Sequence, residues 1–251
     1  LHDALPICAE YRVEYEAFRA RTGELDPSDP RWLELRLLPD PDSTQVRVYA
    51  TQSTHKSMSA LRQGSMILVR DERFGLVHGA FEEAYFTHTS TSPNLQIIAS
   101  LDLARRQMEL EGYELVTRAT DLALRIRWQI NSHPLIAKYF HVLTPADMVP
   151  PEFRESGIAD YDSSPAARAQ MIDAWSRDEI ALDPTRLTLV CGTAGYDGTA
   201  FKGLLADRYD IQINKTSRNS ILLQTNINNT RSDVAHIIKV LADIAHAIEE
   251  E

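Results

Sequence analysis

The sequence is poor in cysteine, in long apolar runs and in clustered positive charge, and each shortage excludes a class of protein. Two cysteines, Cys8 and Cys191, cannot form a disulfide framework. No window holds about 18 consecutive apolar residues, which argues against a membrane-spanning helix. Lysine and arginine number 26 against 36 acidic residues, a formal net charge of −10, and without a basic cluster neither nucleic acid nor an anionic membrane is an expected partner.

What remains is the composition of a folded globular chain. Its 251 residues suffice for one or two domains, and 43% of them are hydrophobic. No secretory signal opens the chain, so we expect a cytoplasmic location. The chain begins with Leu1 rather than methionine, and LHDALPIC joins abruptly to a helical pattern at 9–21. We interpret this start as a truncated reading frame and leave open whether residues 1–8 are native.

Hydrophobic periodicity predicts strands in the first third of the chain. Apolar and polar residues alternate from Val46 to Ala50, which predicts a strand, and the continuous apolar run at 66–69 predicts a buried one. Between the helix at 9–21 and the first strand, glycine, prolines and aspartates at 22–43 predict a surface excursion.

The period then changes to that of helices. Apolar residues spaced by three and four predict one helix over 93–108, with Ser92 as N-cap, and a second over 113–131 after an interruption at Gly112. Prolines and aspartates make 144–184 irregular, apart from a short helix at 166–175, and we place a domain junction there.

The last part of the chain shows the order of a small α/β sandwich. Its predicted elements are a strand at 187–191, a glycine turn, a helix opened by Thr199, strands around Ile211 and Ile221, and a terminal helix capped by Ser232. Strands followed by long helices indicate an α/β fold.

One polar segment between the two predicted strands could carry chemistry. A lysine held there, Lys56, is expected to be partly desolvated, which favours a neutral amine able to form a Schiff base. Hydroxyls of Ser53 and Thr54 could hold a phosphate, and His55 can transfer protons near neutral pH. Together these groups suggest pyridoxal phosphate, although the residue types alone more often form a solvated surface turn.

Longer stretches give this segment a context. They are TQSTHKSMSALRQGSMILV at 51–69, FEEAYFTHTSTSPNLQIIASLDLARRQMELEGY at 81–113, LDPTRLTLVCGTAGYDGTAF at 182–201 and YDIQINKTSRNSILLQTNINNTRS at 209–232. Here the sequence resembles the ornithine/lysine/arginine decarboxylases of the aspartate aminotransferase fold, fold type I, from about Tyr49 to the C-terminus.

The resemblance implies an α/β fold made of the C-terminal part of an aspartate aminotransferase-like large domain and a small α/β sandwich. We therefore expect 1–143 to be a partial large domain that carries the cofactor lysine. Residues 144–184 would be an irregular linker, and 185–251 the small C-terminal domain.

The same resemblance implies roles for single residues. Lys56 is expected to bind pyridoxal 5′-phosphate as a Schiff base, and His55 to lie against the cofactor and return a proton to the substrate carbon. Ser53 is expected to bind the phosphate from the same subunit, and Ser90 from across a dimer interface. A hydroxyl cluster ahead of a helix start also suits an anion on general grounds, while N-capping is the alternative for residues 89–92.

The implied reaction is the decarboxylation of a basic amino acid, namely ornithine, lysine or arginine, to the corresponding amine. The sequence does not decide among these three substrates. A shared phosphate site implies a homodimer or larger homo-oligomer. Another fold type I reaction, such as transamination or racemisation, and a non-catalytic role in subunit contacts are the alternatives. We expect the 251 residues alone to be inactive.

Several residues that the family uses at its site are not identified in this chain. The family's ring-stacking histidine and first phosphate loop lie further upstream of the lysine than this chain reaches, and the surroundings of Asp3 do not fit the aspartate that pairs with the pyridine nitrogen.

The histidines lack HExxH spacing, so no metal site is predicted. Gly192, Gly195 and Gly198 are interpreted as turn glycines. Arg218 either pairs with a substrate carboxylate or is a solvated hairpin residue.

Overall fold

A computed structural model of the chain describes residues 4–45, 47–161, 164–213 and 215–250. These residues divide into two compact units. The first unit comprises 4–45, 47–52 and 66–92, and the second comprises 53–65 together with everything described from Pro93 onwards. The architecture is mixed α/β. The predicted domain boundaries at 143 and 184 stay a prediction.

The helices and strands are named here in chain order. The helices are α1 (Ala4–Thr22), α2 (Thr54–Ser57), α3 (Phe74–His88), α4 (Leu95–Ser132), α5 (Ile136–Tyr139), α6 (Pro145–Met148), α7 (Pro165–Arg177), α8 (Gly198–Tyr209) and α9 (Arg231–Glu250). The strands are β1 (Arg47–Gln52), β2 (Met66–Asp71), β3 (His141–Val142), β4 (Arg186–Val190), β5 (Lys215–Thr216) and β6 (Ser220–Gln224).

In the first unit, β1 and β2 form an antiparallel hairpin. Arg47 lies opposite Asp71, and Gln52 lies opposite Met66. The predicted strand at 46–50 is confirmed as β1 for its described part, since Val46 lies outside the described residues.

Helix α1 confirms the helix predicted at 9–21 and holds the long loop that follows it. The Tyr11 hydroxyl donates a hydrogen bond to the Pro39 carbonyl oxygen at 2.6 Å, and both terminal nitrogens of Arg12 donate to the Asp42 carboxylate. The surface excursion is therefore an ordered loop fastened to one helix.

The prediction that residues 66–69 form a buried strand is wrong for this chain. Ile67, Leu68 and Val69 are 42%, 47% and 36% exposed. A continuous apolar strand is typical of a sheet covered on both faces. Because β2 has one partner strand and the described part of the first unit lays no continuous layer over it, these side chains stay in contact with solvent.

The second unit is built on a four-stranded sheet with the order β3-β4-β6-β5, in which every neighbouring pair is antiparallel. Leu187 lies opposite Leu223, and Leu189 lies opposite Ile221. The order β4, α8, β5, β6, α9 confirms the predicted strand, helix, strand, strand, helix. The strand expected around Ile211 forms later, as β5.

The core of the second unit packs the sheet against α4, α8 and α9. Its fully buried members include Ile130, Phe140, Val142, Leu187, Leu189, Phe201, Leu205, Ile221 and Leu241. Burying each such side chain stabilises the fold by about 1.5–3 kcal/mol. Helix α9 contributes Val234, Ile237, Leu241 and Ile244, four residues of the predicted apolar face.

Helix α4 is one helix of 38 residues, so the prediction of two helices separated at Gly112 is wrong. A buried glycine costs a helix interior roughly 1 kcal/mol, too little to break a long helix that packs on both sides of it. The helix begins after Asn94, whose side chain accepts hydrogen bonds from the backbone N–H groups of Gln96 and Ile97. Asn94 therefore replaces Ser92 as the N-cap.

Two further helix starts differ from the prediction, and an aspartate bonds to the backbone at each. The Asp197 side chain accepts hydrogen bonds from two backbone N–H groups of the first turn of α8, one of them that of Thr199. At the start of α9, the Asp233 carboxylate accepts from the Thr230 N–H at 2.7 Å, and Ser232 lies inside the first turn. A carboxylate competes well for these sites because the helix N-terminus carries partial positive charge.

The glycine turn before α8 is confirmed and has steric reasons. Gly195 has a φ of 84°, in the left-handed region. A Cβ on Gly198 would lie 2.5 Å from the Ser220 carbonyl oxygen and closer still to that of Ser217. Only glycine permits this approach of α8 to the hairpin of β5 and β6.

None of the helices in the described ranges combines the length and apolarity that crossing a membrane requires. Among the same residues, no three His, Cys, Asp or Glu side chains lie where they could share a metal ion. Cys191 is a free thiol in the core, and burial raises its pKa.

Candidate active site

The predicted Schiff-base lysine lies in α2, a single helical turn. The Ser53 carbonyl oxygen accepts a hydrogen bond from the Lys56 N–H at 3.1 Å, and the Thr54 carbonyl oxygen accepts one from the Met58 N–H at 3.0 Å. The side chains of Ser53 and Lys56 are exposed, and that of His55 is half-buried. The structure thus brings these three predicted site residues together in one turn of backbone.

The expectation that Lys56 is partly desolvated is wrong for this chain. Its side chain is exposed, and its ammonium group forms no ion pair with any residue that the structure describes. In the described residues, no other element covers this side chain.

His55 is oriented by the far end of the same segment. Its Nδ1 atom lies 3.3 Å from the Gly64 carbonyl oxygen. Because a carbonyl oxygen only accepts hydrogen bonds, Nδ1 is the donor in this contact. Gly64 is buried, whereas its neighbours Gln63 and Ser65 are exposed.

Two hydrogen bonds and one close contact fasten the segment to α4. The Leu61 N–H donates to Ser100 Oγ at 3.0 Å, and Ser59 Oγ donates to Gln107 Oε1 at 2.8 Å. Gly64 packs against the side chains of α4. Sequence reasoning missed these anchors, since partners some 40–50 residues apart leave no local pattern.

Two hydroxyl groups precede the lysine and differ in environment. Thr54 is 2% exposed, and its Oγ1 atom has no hydrogen-bond partner among the described residues. A buried hydroxyl without a partner costs about 1–3 kcal/mol. The Ser53 hydroxyl is exposed and forms no capping hydrogen bond to α2, although Ser53 occupies the N-cap position.

Ser90 belongs to the first unit, whereas Lys56 belongs to the second. The Ser90 hydroxyl accepts a hydrogen bond from the Ser92 N–H at 3.1 Å and donates one to the Ser92 carbonyl oxygen at 3.2 Å. These hydrogen bonds stay within residues 90–92, and the N-capping alternative for residues 89–92 is wrong, because Asn94 caps α4. The role of Ser90 as a phosphate ligand stays a prediction.

Arg218 lies at the tip of the hairpin between β5 and β6. Its side chain is exposed, and its carbonyl oxygen accepts a hydrogen bond from the Gly198 N–H at 3.1 Å. Both alternatives for its guanidinium group stay open.

Several known proteins resemble this chain, two of those given below over most of its length. Lysine decarboxylase of Hafnia alvei is 28% identical over 207 residues, which cover 78% of this chain and 27% of that protein. The biodegradative arginine decarboxylase of Escherichia coli strain K12 is 41% identical over 87 residues, 34% of this chain and 12% of that protein. Among solved structures, lysine decarboxylase A from Pseudomonas aeruginosa superposes with a TM-score of 0.59 at 26% identity, covering 81% of this chain and 29% of that one.

These relatives are much longer, since the chain spans 27% to 29% of the two lysine decarboxylases. A family model described as "Orn/Lys/Arg decarboxylase, major domain" matches residues 33–233. The match includes the turn with Ser53, His55 and Lys56 and most of the second unit. Because it covers well over half of the chain, this protein belongs to the Orn/Lys/Arg decarboxylase family.

Proposed function

We propose that the protein decarboxylates a basic amino acid, ornithine, lysine or arginine, to the corresponding amine with the help of pyridoxal phosphate. The observation that carries the proposal is the family match over 33–233, which contains a Ser-Thr-His-Lys turn with an accessible lysine amine. The relatives named lysine and arginine decarboxylases support the substrate class.

The donor groups of the turn fit pyridoxal phosphate. Lys56 offers a primary amine for the aldehyde, and the Ser53 hydroxyl is exposed and unused as a helix cap. His55 offers an imidazole held by one nitrogen, which leaves the other for contact with a ligand. When bound, the cofactor supplies an electron sink for the pair released as the bond from Cα to the carboxylate breaks.

Four residues of this chain have proposed roles in the reaction. Lys56 Nζ would hold the cofactor through its primary amine. Ser53 Oγ would donate a hydrogen bond to the phosphate, and Ser90 would do so from a neighbouring subunit. His55 delivers a proton to the substrate Cα after carbon dioxide has left.

The exposure of Lys56 supports the proposal that these 251 residues are inactive alone. In the proposed enzyme, parts outside this chain would cover the lysine and supply the group that pairs with the pyridine nitrogen. The arrangement would be an aspartate aminotransferase-like large domain followed by the small α/β domain, in a homodimer or larger homo-oligomer with shared phosphate sites.

The test is cofactor labelling, in the chain and in a longer protein that contains it. Pyridoxal phosphate followed by borohydride should leave no stable label on Lys56 in the isolated chain. In the longer protein, Lys56→Ala should abolish the visible absorption of the bound cofactor, while Lys202→Ala in α8 should preserve it. A band that survives Lys56→Ala overturns the assignment.

Product analysis separates this reaction from its relatives. Mass spectrometry of the products should show loss of carbon dioxide and formation of a diamine or agmatine. A keto acid would instead indicate transamination, and an unchanged mass with inverted configuration would indicate racemisation.

A further inference from the structure

The hydrogen bond between His55 and Gly64 determines which imidazole nitrogen faces the backbone. His55 Nδ1 lies 3.3 Å from the Gly64 carbonyl oxygen, nine residues along the chain. Since the oxygen cannot donate, Nδ1 keeps a proton whether the ring is neutral or charged. In the neutral ring, Nε2 then carries the lone pair.

The position of Gly64 is set by close packing against α4. A Cβ atom placed on Gly64 would lie 2.9 Å from Ile97 Cγ2, closer than real Cβ atoms come to their neighbours, and 3.0 Å from Leu101 Cδ2, closer than most do. The absence of a side chain thus lets the backbone of residue 64 approach the helix. A bulkier residue would have to displace these two side chains or move this backbone, and the carbonyl with it, away from α4.

The residue before Gly64 has an unusual backbone conformation. Gln63 has a φ of 73°, in the left-handed region that side-chain-bearing residues rarely adopt. Such a conformation is unfavourable for a residue with a side chain and persists only where the surroundings enforce it. Here the surroundings are the hydrogen bonds of Ser59 and Leu61 to α4 and the packing of Gly64 against that helix.

We propose that Gly64 is a positioning residue for His55: its carbonyl oxygen fixes the tautomer with the proton on Nδ1, so that Nε2 is the atom that exchanges protons with the substrate. The inference rests on the proposed function and identifies His55 Nε2 as the atom that transfers the proton. Nothing in the side chain of Gly64 touches a ligand, because Gly64 acts only through His55.

The proton step balances without a further reactant. Nε2 takes a proton from solvent, which gives a ring protonated on both nitrogens. The electron pair left at the substrate Cα then forms a C–H bond with that proton, and the Nε2–H bonding pair becomes the lone pair of Nε2. Throughout the step, the Nδ1–H group keeps its hydrogen bond to the Gly64 carbonyl oxygen, so the imidazole ring does not have to rotate.

Nitrogen-15 NMR of the 251-residue chain, labelled in histidine, tests the tautomer directly. The spectrum is recorded at about pH 8.5, where an ordinary imidazole is neutral. The signal of His55 is identified by its disappearance in His55→Asn. A protonated Nδ1 and an unprotonated Nε2 support the proposal, whereas a protonated Nε2 in the unaltered chain overturns it.

Variants show whether Gly64 is responsible. Gly64→Ala should move the His55 signals towards a mixture of tautomers, and adding Ile97→Ala and Leu101→Ala, which removes the two contacts, should restore them. Gly79→Ala, in α3 with open space around the glycine, is the control and should leave them unchanged. A Gly64→Ala spectrum identical to that of the unaltered chain contradicts the positioning role.

The result of the tautomer measurement does not depend on whether the protein is a decarboxylase. Failure of Lys56 to bind the cofactor in a longer protein would overturn the proposed function and leave the tautomer measurement intact. Failure of the tautomer measurement would leave the role of Lys56 intact.

Discussion

Ser100 holds the lysine-bearing segment by accepting a hydrogen bond from the Leu61 backbone N–H at 3.0 Å, across 39 positions of sequence. The Ser100 hydroxyl donates in turn to the Ile97 carbonyl oxygen at 2.7 Å within α4. A helix side chain thereby fixes a loop through an atom that is itself fixed to the helix backbone.

Ser100→Ala should loosen this segment. The Leu61 N–H loses its acceptor, and the loss of such a hydrogen bond costs about 0.5–1.5 kcal/mol. Hydrogen exchange followed by mass spectrometry should show faster exchange of residues 58–63. Ser132→Ala removes a comparable hydroxyl that bonds within α4 and should leave this exchange unchanged. Unaltered exchange in Ser100→Ala would show that the anchor does not hold the segment.

Thr54→Val should leave the chain as stable as before or more stable by up to about 1 kcal/mol, because it replaces an unpaired buried hydroxyl by a methyl group of similar shape. Thr54→Ser keeps the hydroxyl and removes a buried methyl group, so it should destabilise by about 1 kcal/mol. Urea unfolding measures both. A Thr54→Val chain less stable by more than 1 kcal/mol would mean that the hydroxyl has a partner.

Gly198→Ala should destabilise the second unit strongly. The new Cβ meets two backbone carbonyl oxygens, which cannot move as a flexible side chain can, and overpacking of this kind costs about 1–3 kcal/mol or more. Gly203→Ala, in the same helix with open space around it, should instead stabilise by about 0.5–1 kcal/mol. Thermal unfolding of the pair gives the comparison, and equal melting temperatures would contradict the close approach of α8 to the hairpin.

Asp233 should make stability depend on pH in acid. The hydrogen bond from the Thr230 N–H lowers the pKa of Asp233 below the ordinary value of 3.8. A carboxyl with a lowered pKa in the folded state stabilises the fold above its unfolded pKa, and this contribution is lost as the pH falls through the folded value.

The measurement compares Asp233→Asn with the unaltered chain by urea unfolding at about pH 7 and about pH 3. The variant should be less stable at the higher pH, and the difference should shrink at the lower one. Asp207→Asn in α8 controls for the removal of one negative charge. A difference that grows in acid would reverse the sign and contradict the assignment.

The elements best predicted from the sequence are those whose periodicity is satisfied by neighbours in the same chain. Helix α9 buries Val234, Ile237, Leu241 and Ile244 as its spacing indicates. The run at 66–69 has an equally clear pattern but no covering layer among the described residues, so the pattern identified the strand and not its environment.

Features decided by single hydrogen bonds were the least predictable. Asn94 and Asp197 cap helices that the sequence pattern begins elsewhere, because several hydroxyls and carboxylates compete within three or four residues. Arg127 falls on the buried face of α4 at 1% exposure, where burial lowers its pKa, and its guanidinium donates to the Leu143 carbonyl oxygen. Helical spacing alone does not predict a buried cation.

The residue types of the candidate site could be predicted from the sequence, but the contacts that hold and surround them could not. The Ser-Thr-His-Lys motif identified Ser53, His55 and Lys56, which share one turn. The exposure of Lys56 and the anchors on α4 depend on which parts of the molecule lie alongside, and a short motif does not encode that.

The unbroken helix α4 connects the lysine turn to the core of the second unit. Residues 97–107 anchor the turn, while Leu122, Ile126 and Ile130 sit in the core of the second unit. Some 25 residues of helix, about 38 Å, separate the two regions, so a tilt of about 5° at the core end displaces the anchor end by roughly 3 Å. Because α4 is unbroken, the orientation that the core gives to this helix also determines where the lysine turn lies.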